Sequence, residues 1–121
     1  MYIDDSAHFH IRKFDVSPDG SISGGGVWAE VKGKPDERGV ADGMKVNSEG
    51  NVFCTGPGGI WVFSDAGRVL GRVIMPEVTA NLAWGDADLC TLYLTGSTSL
   101  YRLRVSVPGL AVSHQPSAVS A

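Results

Sequence analysis

Hydrophobic positions in this chain come in short bursts, cut apart by turns rich in Gly, Asp, Ser and Pro. Three bursts line up on one another: Tyr2-Ile3-Asp4-Asp5, Val52-Phe53-Cys54-Thr55 and Leu92-Tyr93-Leu94-Thr95. Their β-branched and aromatic side chains predict strands. Each leads through a polar or Gly-rich loop into a second strand, at Ile11-Arg12-Lys13-Phe14, Ile60-Trp61-Val62-Phe63 and Leu100-Tyr101-Arg102-Leu103. The copies are offset by about 40 to 50 residues, the period of four-stranded propeller blades.

The turns repeat with the strands. Ser17-Pro18-Asp19-Gly20 and Ser64-Asp65-Ala66-Gly67 close the second strand of successive copies, with Gly free to take positive φ. Val27-Trp28-Ala29-Glu30-Val31 and Leu70-Gly71-Arg72-Val73-Ile74 follow as outer strands. Ser48-Glu49-Gly50-Asn51 and Gly85-Asp86-Ala87-Asp88 separate the first two strands of the later copies. With strands lettered A to D from the axis outward, the chain reads B-C-D, A-B-C-D, A-B-C. The expected fold is therefore all-β: about ten antiparallel strands forming two and a half blades over residues 1–109, then a disordered Ser/Ala/Pro-rich tail over residues 110–121. A closed propeller takes about four to eight blades, so the chain reads as a piece of a longer protein. Its open strand edges are expected to recruit other copies, and the faces bearing Trp28 and Trp61 to meet water.

Composition fits a soluble globular chain and excludes several partners. A net charge of −3, with no cluster of Lys and Arg, speaks against nucleic acid. No apolar run approaches the roughly 20 residues that cross a bilayer. Met1 to Asp5 has neither the basic nor the apolar part of a signal peptide, so a cytoplasmic location is expected. Cys54 and Cys90 are too few for a disulfide framework and read as free thiols.

Chemistry concentrates at Gly39-Val40-Ala41-Asp42-Gly43-Met44-Lys45-Val46, where a lone carboxylate, Asp42, stands at the start of a strand. By itself an Asp-Gly pair is a turn element. Asn81, in Ala80-Asn81-Leu82, takes the same offset one blade later and points to a channel contact, for substrate or water, or to an amide that holds its own loop. His8 and His10 lie in a B-to-C loop opening on the same face. Without a Cys or a third His nearby, the pair reads as ordinary loop histidines. Gly56-Pro57-Gly58-Gly59 lacks the Lys-Ser/Thr of a phosphate loop. Asp86-Ala87-Asp88 lacks the Gly and Glu of an EF-hand. No Ser-His-Asp order or nucleophile elbow is present. Trp28, Trp61 and Trp84 read as packing between blades.

Together these stretches carry a resemblance. Ala41 to Val46, Gly56 to Phe63, Ala80 to Gly85, Thr91 to Thr95 and Ser99 to Arg102 resemble, in fixed order, the C-terminal half of the gluconolactonase and regucalcin (senescence marker protein) family. The resemblance runs from Met1 to about Gly109. It implies a six-bladed β-propeller with one divalent cation in its channel, calcium or zinc, and hydrolysis of a sugar lactone such as gluconolactone. The family holds its metal with a Glu, an Asn and the Asp of a Pro-Asp-Gly-Met motif. Asp42 corresponds to that Asp, with Ala41 in place of the Pro. The resemblance thus implies that Asp42 is both metal ligand and proton donor and acceptor. The family's Glu and Asn ligands have no counterpart here, so the chain alone is expected to be inactive. A non-catalytic propeller segment that binds a metal or a partner is the alternative.

Overall fold

The computed structural model describes residues 1–111. It contains ten strands in three antiparallel sheets and, among the described residues, no helix. The first sheet holds β1 (Tyr2–Asp5), β2 (His10–Val16) and β3 (Ile22–Glu30). The second holds β4 (Met44–Val46), β5 (Val52–Gly56), β6 (Gly59–Phe63) and β7 (Val69–Ile74). The third holds β8 (Thr79–Gly85), β9 (Thr91–Gly96) and β10 (Leu100–Arg104). Each sheet is ordered as the chain runs, so they are the expected B-C-D, A-B-C-D and A-B-C units of a partial propeller.

Side-chain alternation explains why the middle blade is the most apolar. Successive strand residues point to opposite faces. Val52, Cys54, Trp61 and Phe63 therefore join Ile11, Ala29 and Val31 of the first blade in one buried cluster. Phe53 and Ile60, from the other face, join Leu82, Leu92 and Leu94 of the third. With both faces covered, all five residues of β5 are buried. Each large side chain so placed contributes about 1.5–3 kcal/mol.

The tryptophans lie along these seams. Trp28 packs on Phe63 of the next blade at 5.7 Å, and its Nε1–H donates to the Asp65 carbonyl. Trp84 meets Phe53 edge-on at 5.1 Å and donates to the Val46 carbonyl. Trp61 is buried beneath the Arg72 guanidinium. The faces of Trp28 and Trp61 are thus not open to water as expected, because they are turned toward each other across the first seam. The open faces belong to the outer sides of the first and third blades.

Two stretches differ from the sequence reading. The outer strand β3 begins at Ile22 rather than Val27: Ser23-Gly24-Gly25-Gly26 looks like a loop but pairs with β2 through two register shifts. The Phe14 ring covers Gly25, where a Cβ would come within 2.4 Å of it. Val107-Pro108-Gly109 ends the strand pattern, yet the chain there crosses back to the inner strand of the middle blade. Ser48 N–H donates to the Pro108 carbonyl and Leu110 N–H to that of Val46. The tail expected over 110–121 therefore begins with a tethered Leu110, and residues 112–121 lie outside the described residues.

Candidate functional site

Asp42 sits in the connection from β3 to β4, immediately before the innermost strand of the middle blade. Its neighbours are held from three directions. The fully buried Ala41 offers its carbonyl to Ser6 Oγ, 2.5 Å away on the β1–β2 loop. Gly43 N–H donates to the Ala80 carbonyl at 2.9 Å and to Thr55 Oγ1 at 3.1 Å, and the Gly43 carbonyl accepts from Thr55 N–H. Gly43 has no room for a side chain, since a Cβ would stand 2.5 Å from Asn81 Oδ1. Further upstream, Arg72 Nη2 donates to Glu37 Oε1 at 3.0 Å and to the Pro57 carbonyl at 2.5 Å, tying the loop to β7. The backbone around Asp42 is fixed by all three blades.

The Asp42 side chain is exposed, and no hydrogen bond engages its carboxylate among the described residues. Cys54 is buried close by, and its thiol is pushed up to about 12, first by burial and then by the charge of Asp4, against a smaller opposing hydrogen bond from Asp42 N–H. Asp4 is a member of this site that strand pattern alone did not single out. Burial raises its carboxyl above the usual range, and the charges of Asp42 and Asp5 raise it further. The signal was present in the alternation of β1, which puts Asp4 on the face of Tyr2, and Tyr2 packs on Trp28 at the first seam.

Asn81 lies across the second seam, beside Gly43. Its Oδ1 accepts from Leu82 N–H at 2.9 Å, so the amide oxygen braces its own strand. Gly56 to Gly59 form a two-residue turn in which Gly58 takes φ 81°. Asp86 and Asp88 hold their hairpin: Asp86 accepts from Thr91 and Tyr93, and Asp88 from Arg104. Cys54 and Cys90 are both free. No helix among the described residues is long and apolar enough to cross a membrane.

An exposed carboxylate with no competing partner is a suitable donor for a hard divalent cation. It is one donor of the several such an ion requires, and no three His, Cys, Asp or Glu side chains among the described residues converge on one point. A groove of about 610 Å³ runs along the inner strands past Met44, Val46, Ala83 and Trp84, and does not include Asp42.

Three consecutive blades, with an unengaged carboxylate at an inner-strand entrance, define a segment of a β-propeller. The family model describing the SMP-30/Gluconolactonase/LRE-like region matches residues 1–98, and the chain belongs to that family. It is 32% identical over 73 residues to a gluconolactonase of Zymomonas mobilis, a match covering 59% of this chain and 20% of that protein. Among solved structures, it superposes on a putative gluconolactonase with a TM-score of 0.81 and 29% identity, over 92% of this chain and 37% of the other. Regucalcin from Agrobacterium tumefaciens, a calcium-binding protein, shares the fold at a TM-score of 0.75 and 17% identity, over 90% of this chain and 43% of its own. The chain thus spans a fifth of the curated relative and less than half of the solved ones.

Proposed function

We propose that this chain is the part of a metal-dependent sugar lactonase that carries its acid–base carboxylate, and that Asp42 both holds a divalent cation and moves the proton. The observation that supports this most is the exposed, unpartnered Asp42 carboxylate on a backbone held by three blades, in a chain of the gluconolactonase family. Calcium binding by the regucalcin relative makes calcium the first candidate, with zinc second. When bound, such a cation supplies Lewis acidity toward the lactone carbonyl and lowers the pKa of a bound water. Asp42 takes a proton from the attacking water as its oxygen adds to the carbonyl carbon. The ring C–O bond then breaks, and Asp42 returns the proton to the departing ring oxygen, leaving an open-chain hydroxy acid. In this reading Asn81, beside Gly43 across the seam, contacts the substrate.

Asp42→Asn keeps the size of the side chain while removing its charge and its basicity. In the longest form of the protein its gene encodes, this change is expected to lower kcat for gluconolactone hydrolysis by at least about 100-fold, the lower end of what a positioned acid–base group contributes. Circular dichroism should show an unchanged fold. Near-normal turnover by the folded variant would refute the assignment and favour a non-catalytic propeller.

A further inference from the structure

The two central strands of each blade pair in one repeating register. Counted from the turn that joins them, the second rung is Asp4–Ile11, Thr55–Ile60 and Thr95–Leu100 in successive blades. The third is Ile3–Arg12, Cys54–Trp61 and Leu94–Tyr101, and the fourth is Tyr2–Lys13, Phe53–Val62 and Tyr93–Arg102. Residues of one rung share a face of the sheet, and successive rungs alternate. Side chains of the second and fourth rungs turn toward the following blade: Ile11 packs in the first seam, Phe53 and Ile60 in the second. Those of the third rung turn toward the preceding blade: Cys54 and Trp61 in the first seam, Leu94 and Tyr101 in the second.

The outer sides of the first and third blades therefore carry seam residues without a seam. Ile11 and Ile60 are 0% exposed, whereas Leu100, at the same rung of the third blade, is 70% exposed. Cys54 and Leu94 are 0% exposed, whereas Ile3, at their rung of the first blade, is 43% exposed. Beside Leu100 lies a hollow of about 190 Å³, lined by Ala83, Tyr93 and Thr95. In the second seam Leu94 packs with Phe53 and Ile60, which hold the rungs of Tyr93 and Leu100. Ile3 holds the rung of Leu94, so it is the side chain that fits this hollow. The charges of the two faces also agree. Arg102 lies on the open side of the third blade, and Asp5 and Glu30 lie on that of the first, where Arg12 turns its guanidinium to the Gly25 carbonyl at 2.6 Å.

Two different faces that fit each other build a closed ring if the rotation between copies closes, and a filament if it does not. Three blades fall short of the about four to eight that close a propeller, and the six of two copies fall within that range. Six is also the blade number that the family resemblance implies. We propose that two copies of this chain close head to tail into one ring, the Leu100 face of each seated on the Ile3 face of the other. Each copy is then held by two seams. The second seam forms within a complex already joined, which favours closure over a growing filament. The pairing does not depend on what Asp42 does.

Sedimentation velocity and native mass spectrometry of the 121-residue chain should find one associated species, a dimer, over a wide range of concentration. Ile3 and Leu100 are exposed within one copy, so Ile3→Asp and Leu100→Asp should keep its fold, as circular dichroism can verify. Each is expected to weaken dimerisation by at least about tenfold, because both seams would then bury an unpaired charge. Mixed in equal amounts, the two variants regain one unaltered seam, and dimers with one copy of each should appear. An unaltered chain that stays monomeric at high concentration would overturn the proposal and assign the open faces to further blades of a longer chain. Species that grow beyond two copies would overturn it as well. So would a Leu100→Asp chain that dimerises as the unaltered one does, or a mixture of the two variants that stays monomeric.

Discussion

Side chains of one type differ in reactivity here because burial and charge act on them differently. Cys54 is fully buried, with the charge of Asp4 acting on it as well, and its thiol is pushed up to about 12. Thiolate is the reactive form, so a thiol-modifying reagent at neutral pH should label the half-buried Cys90 and spare Cys54. Mass spectrometry of the native chain should find one label, and of the urea-unfolded chain two. Equal labelling of both in the native chain would mean that the first seam is open. Asp88 shows the opposite effect. Hydrogen bonds from Arg104 and from Cys90 N–H hold its carboxyl down at about 2, against 3.8 ordinarily. Because the folded value is the lower one, the pair contributes stability above about pH 4 and loses it as pH falls through about 2. Asp88→Asn should flatten that acid limb of a melting-temperature curve. The effect is small because the pair is exposed, and an acid limb identical in the variant would show that the pair contributes nothing.

At the scale of strands and turns, glycines divide into those that geometry requires and those it tolerates. Gly59 opens β6 with φ 148°, and a Cβ there would stand 2.0 Å from the Val73 carbonyl on the neighbouring strand. Gly71 in β7 has open space around it. Gly59→Ala is therefore expected to cost about 1–3 kcal/mol as strained backbone or a broken strand pair, while Gly71→Ala should be neutral or gain about 0.5 kcal/mol. Urea melts of the two variants test this, and equal midpoints would contradict it. The same distinction explains how much could be read beforehand. Strand pairs with a β-branched pattern and a Gly at the turn announce themselves locally, so β1, β2, β5, β6, β9 and β10 fell where their residues predicted. The first half of β3 did not, since Gly24 to Gly26 become a strand only by lying under Phe14 and bulging against β2. The position of Asp42 before an inner strand was legible in consecutive residues. The raised carboxyl of Asp4 was not, because it depends on how the chain is packed. The crossing at Pro108 was missed for the same reason, its hydrogen bonds reaching residues some sixty positions earlier.

Over the whole molecule, two seams are closed and two faces are not. The middle blade is covered on both sides, but among the described residues β1 pairs only with β2 and β10 only with β9. The free edge of β1 exposes Ile3, and the same side of the first blade exposes Val27. On the third blade Leu100 is 70% exposed at the start of the free β10 edge. A strand edge offers unpaired N–H and C=O groups that another chain can complete, and apolar side chains beside it add hydrophobic gain to that pairing. Charged residues do not protect these edges uniformly: Arg102 and Arg104 alternate along β10, whereas Tyr2-Ile3 on β1 carries no charge before Asp4. Association should therefore begin at β1 and grow with concentration. Light scattering on the purified chain is expected to show dimers or larger species at micromolar concentrations, and Ile3→Lys to shift the population toward monomer more than Leu100→Lys does, since it puts a charge on the less protected edge. A chain that stays monomeric with a cooperative melt at high concentration would refute this, and would mean that three blades with two open faces form a self-sufficient unit.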